Sequence, residues 1–298
     1  MDYLLYWFML PISVMIATTA MLGGIGGAAL FIPIFLIIFP LLGPEYIIAG
    51  PIAAIGVALI TETFGFSSGL IGYLKMRLID FKVAKSLIMV AVPAAVIGSL
   101  VGQLVDPNIL KISYGMLMMI LMFIILRRPS SDEKQDITRK TLAGEYAHIG
   151  HERKVVDKNG NVYDYHLCHL GKGRSFTGIG GFITGMMSVG IGEILMPQLV
   201  RSCKVPVPVA AATSVLVVII TVMSASISLL LTLVSEGGFG VIPWNLVMYT
   251  APGVVIGAQI GSRLQGKVPS DKMERTYGVL FGVIGIAMIS IVFVPQIG

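Results

Sequence analysis

The chain has 298 residues, 55% hydrophobic and 12% charged, with a mean hydropathy of +0.88. Soluble domains carry about 25% charged residues, so this composition excludes an ordinary soluble enzyme or binding module. The formal net charge is +5, but the basic residues sit at the ends of apolar runs and in one central polar segment. That is the distribution of cytoplasmic loops, not of a nucleic-acid-binding surface.

A bilayer core needs about 20 apolar helical residues to cross. Lipid offers no partner to bare backbone groups, so spans are helices or closed barrels. The apolar runs lack strand alternation, which leaves helices. The first block, Tyr3 to Leu42, is interrupted by Gly23-Gly24-Ile25-Gly26-Gly27. It follows Met1-Asp2 without a basic region, so it reads as a retained segment rather than a cleaved signal. Spans follow near Ile47–Leu70, Lys85–Val105 and Leu110–Leu126, then a polar segment from Arg127 to Arg174. A second glycine-broken block, Phe176–Leu199, precedes spans near Val209–Val234, Leu246–Leu264 and Thr276–Phe293. This divides the chain into 1–126, a linker 127–174, and 175–298. Two cysteines, Cys168 and Cys203, set no disulfide framework.

The two halves repeat in sequence. Gly26-Gly27-Ala28-Ala29-Leu30-Phe31-Ile32-Pro33 matches Gly190-Ile191-Gly192-Glu193-Ile194-Leu195-Met196-Pro197. Pro93 to Gly98 matches Pro252 to Gly257, Gly102 keeps step with Gly261, and Tyr114-Gly115 with Tyr277-Gly278. Matched loops differ in charge. Lys75, Arg77, Lys82 and Lys85 mark one first-half turn whose counterpart, Ser235–Gly240, holds only Glu236; Arg263, Lys267, Lys272 and Arg275 mark a second-half turn whose counterpart is balanced. Every matched loop changes sides, so the halves are inverted. Inversion needs an odd number of crossings per half. The arm Ala28–Leu42 is short for a crossing. The expected fold is therefore an all-α polytopic membrane protein of two inverted repeats, each a re-entrant helical hairpin plus three transmembrane helices. Two tilted crossings satisfy the same parity. Both place the termini outside and the linker in the cytoplasm.

Four features could carry chemistry. A half-helix that starts at a glycine turn offers free N–H groups and a positive dipole end, an anion site without a buried cation. Gly24, Gly26 and Gly27 in one half and Gly190 and Gly192 in the other are thus candidate substrate contacts; close helix packing is the plainer use of such glycines. Glu193 and Glu62 lie inside apolar runs, where a charged carboxylate costs about 2.5–3.5 kcal/mol. They are candidates for proton coupling, with Glu193 alternatively capping its own half-helix. Thr213 and Ser214 could donate to an anion or bond back to helix carbonyls. His148, His151, His166, His169 and Cys168 flank a segment that reads as a hairpin turning at Asn159-Gly160, which could gather them around zinc. No histidine lies in a span and no nucleophile–base pair is evident, against an intramembrane enzyme.

The duplicated Gly-x-Gly…Pro blocks, Pro206…Ala211-Ala212-Thr213-Ser214 and the repeated Pro…Ile-Gly…Gly spans resemble the TauE/SafE family of sulfite-exporter-like permeases. The resemblance covers nearly the whole chain except the central segment. It implies transport of sulfite, a sulfonate or another small organic anion, outward and driven by the proton gradient, with substrate near Gly26, Gly27, Gly190, Gly192, Thr213 and Ser214. The first half departs from the pattern with Pro51-Ile52 in place of Thr-Ser. The sequence reading is a proton-linked anion transporter in a cell membrane, without a cofactor; an anion channel and a sensor using the histidine segment are its rivals.

Overall fold

Two prolines shape the short arms. The computed structural model describes all residues except 1–3, 24–26, 128–130, 144, 146–150, 168–170, 265–269 and 294–298. In it, helix α1 (Met9–Gly23) precedes α2 (Ala28–Leu42), whose middle, Ile34–Ile38, is π-helical directly after Pro33. In the second half, α8 begins as Ile191–Pro197 and continues as a π-helical stretch, Gln198–Ser202. Proline has no N–H and its ring crowds the carbonyl one turn back, so the hydrogen-bond ladder slips register after it. The matched Pro33 and Pro197 thus produce the same distortion at the same place.

The longer helices start where the sequence supplies a cap or a proline. Helix α3 (Pro51–Met76) starts on proline and ends at Arg77 in the left-handed region, φ 56°. Helix α4 (Phe81–Leu104) is capped by Asp80, whose Oδ1 accepts from the Lys82 and Val83 amides at 3.0 and 3.1 Å. Helix α5 (Pro107–Leu126) is capped by Asp106 in the same way. Each cap satisfies N–H groups that the helix itself cannot. The linker holds α6 (Ser131–Leu142), which hydropathy alone did not suggest, and an antiparallel hairpin of β1 (His151–Val156) and β2 (Val162–Leu167) turning at Asn159-Gly160. Helix α7 (Gly171–Met187) leads into α8, then α9 (Val207–Gly237), α10 (Trp244–Leu264) and α11 (Ser270–Phe293). Among the described residues, five helices are long and apolar enough to cross a membrane: α3, α4, α5, most of α9, and α11 from Arg275. Helix α10 matches them in length but is less apolar.

The packing is reciprocal between halves. Helix α1 lies along α10 and α7 along α4; α3 packs on α10 and α9 on α4; α3 meets α9, and α5 meets α11. Exchanging the halves maps each pair onto another or onto itself. Glycines set the closest contacts. A Cβ on Gly98 would run into the Phe182 carbonyl and one on Gly257 into the Val14 carbonyl; on Gly261 it would sit 2.7 Å from the Thr18 carbonyl. The glycines matched in sequence are therefore the points where α4 meets α7 and α10 meets α1. Small residues let backbones approach in lipid, where dispersion and not hydrophobicity holds helices together.

The linker docks on one end of the bundle. Tyr165, buried on β2, donates to Asp80 Oδ2 at 2.8 Å, and Lys158 N–H donates to the Met76 carbonyl at 3.0 Å. From α6, Thr141 donates to the Lys204 carbonyl, and Thr138 accepts from the Val207 amide. Cys203, buried beside this contact, is disulfide-bonded, a bridge that the cysteine count had not called for.

Gly98→Ala and Gly257→Ala should each lower stability by about 1–3 kcal/mol, the usual cost of overpacking. Gly72→Ala should be neutral, since a Cβ there meets nothing within 4 Å. Thermal unfolding of the purified variants in detergent checks both.

Candidate functional site

The first amides of both short arms meet buried side-chain oxygens. The Ala28 amide, at the start of α2, donates to Glu62 Oε1 at 2.9 Å, and Glu62 sits midway along α3. The Gly27 amide faces the same carboxyl. In the second half the Gly190 amide donates to Glu193 Oε2 at 3.1 Å, and the Ile191 amide to Thr184 Oγ1 at 2.8 Å. Each half-helix start is thus capped by a buried oxygen acceptor. The source differs: Glu193 caps its own helix, whereas Glu62 reaches across from α3. Ala29 occupies the position that matches Glu193, so α2 has no acid of its own to use.

The two acids face one small cavity. Glu62, Glu193, Thr184, Ser188, Gly190 and Gly192 provide its polar wall, and Phe66 of α3 with Val218 and Val222 of α9 the apolar one. Glu62 is 5% and Glu193 1% exposed. Tyr114 of α5, also buried, lies within electrostatic reach of both acids and donates to the Ala29 carbonyl at 3.1 Å. Among the described residues no lysine or arginine lines the cavity. Charging both carboxylates there adds mutual repulsion to the cost of desolvating each.

Ser188 stands out. It ends the turn after α7 with φ 62°, a backbone region that serine rarely adopts. Its hydroxyl is 1% exposed and faces the Glu62 carboxyl without closing a hydrogen bond of proper geometry. Strain and an unsatisfied polar group at one buried residue are features that folds retain at working sites. Gly190, at φ 134°, occupies a conformation that a side chain would disfavour.

The family model described as sulfite exporter TauE/SafE matches residues 9–288. The chain belongs to this family. It is similar to the probable membrane transporter protein YunE of Bacillus subtilis (strain 168), at 22% identity over 273 residues, 91% of this chain and 93% of that one. No solved structure matches. The protein is accordingly an integral membrane transporter, with apolar helices to match.

Within this family fold, Gly27, Gly190 and Gly192, and the two acids, come together at one place; Gly24 and Gly26 lie outside the described residues. Thr213 and Ser214 are elsewhere. Thr213 Oγ1 accepts from the Asp80 amide at 3.0 Å, and Ser214 donates to the Ala211 carbonyl. Thr213 therefore ties α9 to the Asp80 turn on which the hairpin docks. Of the histidine group, His148, Cys168 and His169 lie outside the described residues, and of His151 only the backbone is described. His166 Nδ1 is buried without a partner, and no cluster of three metal-binding side chains occurs among the described residues. Sequence reasoning missed Ser188, Thr184 and the role of Tyr114. The tyrosine was visible only as a repeat marker, and nothing local singled out the other two.

The hairpin dock is testable by itself. Burial, and next to it the Asp80 carboxylate, raises the Tyr165 phenol above its ordinary range, so it stays a donor throughout the physiological pH range. Tyr165→Phe removes a hydrogen bond to a charged acceptor, worth about 1.5–3 kcal/mol. Limited proteolysis of the linker should accelerate about tenfold or more, since each 1.4 kcal/mol is about a factor of ten, while bundle unfolding changes little.

Proposed function

We propose that this TauE/SafE family member is a proton-coupled permease for a small sulfur-containing or organic anion, such as sulfite or a sulfonate, and that it exports its substrate. One observation carries the reading: the α8 N-terminus opens on a small cavity beside an unpartnered serine hydroxyl, and the Glu62 carboxyl that caps the α2 N-terminus lines the same cavity. Groups that hold a carboxylate oxygen are suited to an oxyanion of a substrate. Backbone amides of Gly27, Ala28 and Gly190, with the Ser188 hydroxyl and the glycine-flanked approach at Gly192, would bind it. Glu193 and Glu62 would exchange protons, because both are acids buried at a cavity whose described lining holds no lysine or arginine.

Transport would proceed by alternating access between two inverted repeats, 1–126 and 175–298, joined by the linker 127–174. The reciprocal helix pairs support that division, and glycine turns that stop at the middle of α3 and α9 support re-entrant hairpins over full crossings. We place the termini outside and the linker in the cytoplasm. The loop at Lys75, Arg77 and Lys82, the turn at Arg201 and Lys204, and the linker meet at one end of the bundle, and basic residues concentrate on the cytoplasmic side. A reducing cytoplasm would hold Cys203 as a thiol, so the orientation rests on the basic loops and not on the bridge. Thr213 in this scheme is a strut behind the cytoplasmic face and does not touch substrate.

Reconstitution in proteoliposomes checks the reading. Uptake of sulfite, acetate and methanesulfonate should saturate and should depend on an imposed pH gradient. Glu193→Gln should cut gradient-driven transport about a hundredfold, the scale on which losing one proton-transfer group acts. Flux that neither saturates nor responds to the gradient would mean a channel, and no flux of any anion would sink the assignment.

Orientation has its own assay. In cells carrying Cys168→Ser and Cys203→Ser, a membrane-impermeant maleimide should label Glu45→Cys, between α2 and α3, and leave Lys154→Cys in the hairpin unlabelled until the membrane is opened.

A further inference from the structure

The Ala28 amide cannot serve two acceptors at once. In the structure it is engaged by Glu62 Oε1 at 2.9 Å, with the Gly27 amide facing the same carboxyl. An anion that used the α2 N-terminus would have to displace that oxygen. Leaving Glu62 charged while adding an anion would put two negative groups, besides Glu193, into one small cavity with no described lysine or arginine on its wall. At low effective dielectric, each such pair is expensive.

We infer that Glu62 is a built-in competitor for the transported anion: as a carboxylate it occupies the α2 amides, and only when protonated does it yield them, so that one proton and one monovalent oxyanion bind together. This rests on the anion-permease reading above and adds to it the residue that couples the two ions and the class of substrate.

Charge balance fixes the stoichiometry. The carboxylate of Glu62 accepts one proton and becomes a neutral acid. The anion then takes the Ala28 N–H in its place. The cavity's net charge is the same before and after, so the exchange adds no uncompensated charge to the protein interior. A divalent anion would leave one negative charge in excess. The substrate class is therefore a monovalent oxyanion with a carboxylate-like pair of oxygens: a sulfonate, hydrogensulfite or a short carboxylate.

The surrounding groups suit this exchange. Ser188 Oγ, 1% exposed and without a hydrogen-bond partner, faces Glu62 and is available to the incoming anion. This free donor is independent of the helix end and points to a ligand that the resting carboxylate does not fully replace. Among the described residues, the titratable groups that interact with Glu62 are Glu193 from α8 and Tyr114 from α5; α10 brings Thr250 to the neighbouring Thr61 at 2.8 Å, and α9 presents Val218 and Val222 to the cavity. Glu193 is engaged differently, because it caps the Gly190 amide of its own helix. Tyr114 holds the Ala29 carbonyl, which keeps the first turn of α2 in place while its amides change partner.

The test is calorimetric titration of the full-length protein in nanodiscs with methanesulfonate, which keeps its charge across the pH range, and with acetate as the carboxylate probe. For the wild type, affinity should fall about tenfold per pH unit once Glu62 is charged, with one proton taken up per anion, as linkage requires. Proton uptake is read from buffers of different ionisation heat. Glu62→Gln should bind with no pH slope and no proton uptake. A slope retained in Glu62→Gln, or a flat profile in the wild type, overturns the inference and leaves the permease reading standing. No binding of either anion to the wild type at any pH overturns both. If Glu62→Gln does not fold, Ser188→Ala decides: anion affinity should drop about tenfold for a lost hydrogen bond to a charged ligand with proton uptake still one per anion. Unchanged affinity in that variant counts against the inference.

Discussion

A helix that stops inside a membrane leaves up to four amide N–H groups without carbonyl partners, in a medium that supplies no water. In the re-entrant reading proposed above, α2 and α8 meet that constraint with side chains. Each start is closed by oxygen acceptors: Glu62 Oε1 on Ala28, Glu193 Oε2 on Gly190 and Thr184 Oγ1 on Ile191. The arrangement is stabilising and also poised. An N–H satisfied by a side-chain carboxyl can be handed to another oxyanion, whereas an N–H inside a helix cannot.

The broken helices also need support that they do not provide for themselves. Helix α1 is braced by α10, where Gly257 and Gly261 bring the backbones together, and α7 is braced by α4 through Gly98. Each half thus holds the other's glycine-turn arm. In the alternating-access reading proposed above, a change in one half's tilt would move the other half's site. Polar ties run along the same pairings: Thr18 to the Gly257 carbonyl, Thr61 to Thr250, and Gln259 to Ser68.

Much of this was legible in the sequence because lipid narrows the choices. Apolar runs could only be helices, and the glycines matched between halves at 98 and 257 could be read as a repeat before their packing was seen. Pro33 and Pro197 marked the short arms, though not the π-helical slip after them. The acids were conspicuous as charges in apolar runs. What could not be read was partnership. Glu62 lies far along the chain from Ala28, and nothing local says that it caps a helix other than its own. Thr213 looked like a ligand because hydroxyls at the start of a span are good donors, but its role depends on Asp80, which only the fold brings near. Ser188 carried no signal at all; its strain and its free hydroxyl exist only in three dimensions.

The linker shows how a polar insertion can be tied to the helices that line a cavity. Its hairpin grips Asp80 through Tyr165, with Arg153 at 3.7 Å on the same carboxylate oxygen. The Asp80 amide binds Thr213 on α9, and further along α9 Val218 and Val222 wall the cavity. Met76 at the end of α3 and Lys204 before α9 are held by the same linker. Helices α3 and α9 both line the cavity and meet each other directly. Any opening of this end of the bundle that separates α3 from α9 must therefore break hairpin or α6 contacts. Under the alternating-access mechanism proposed above, the cost of those contacts would enter the equilibrium between the two states, because an interaction made in only one state shifts the population toward it.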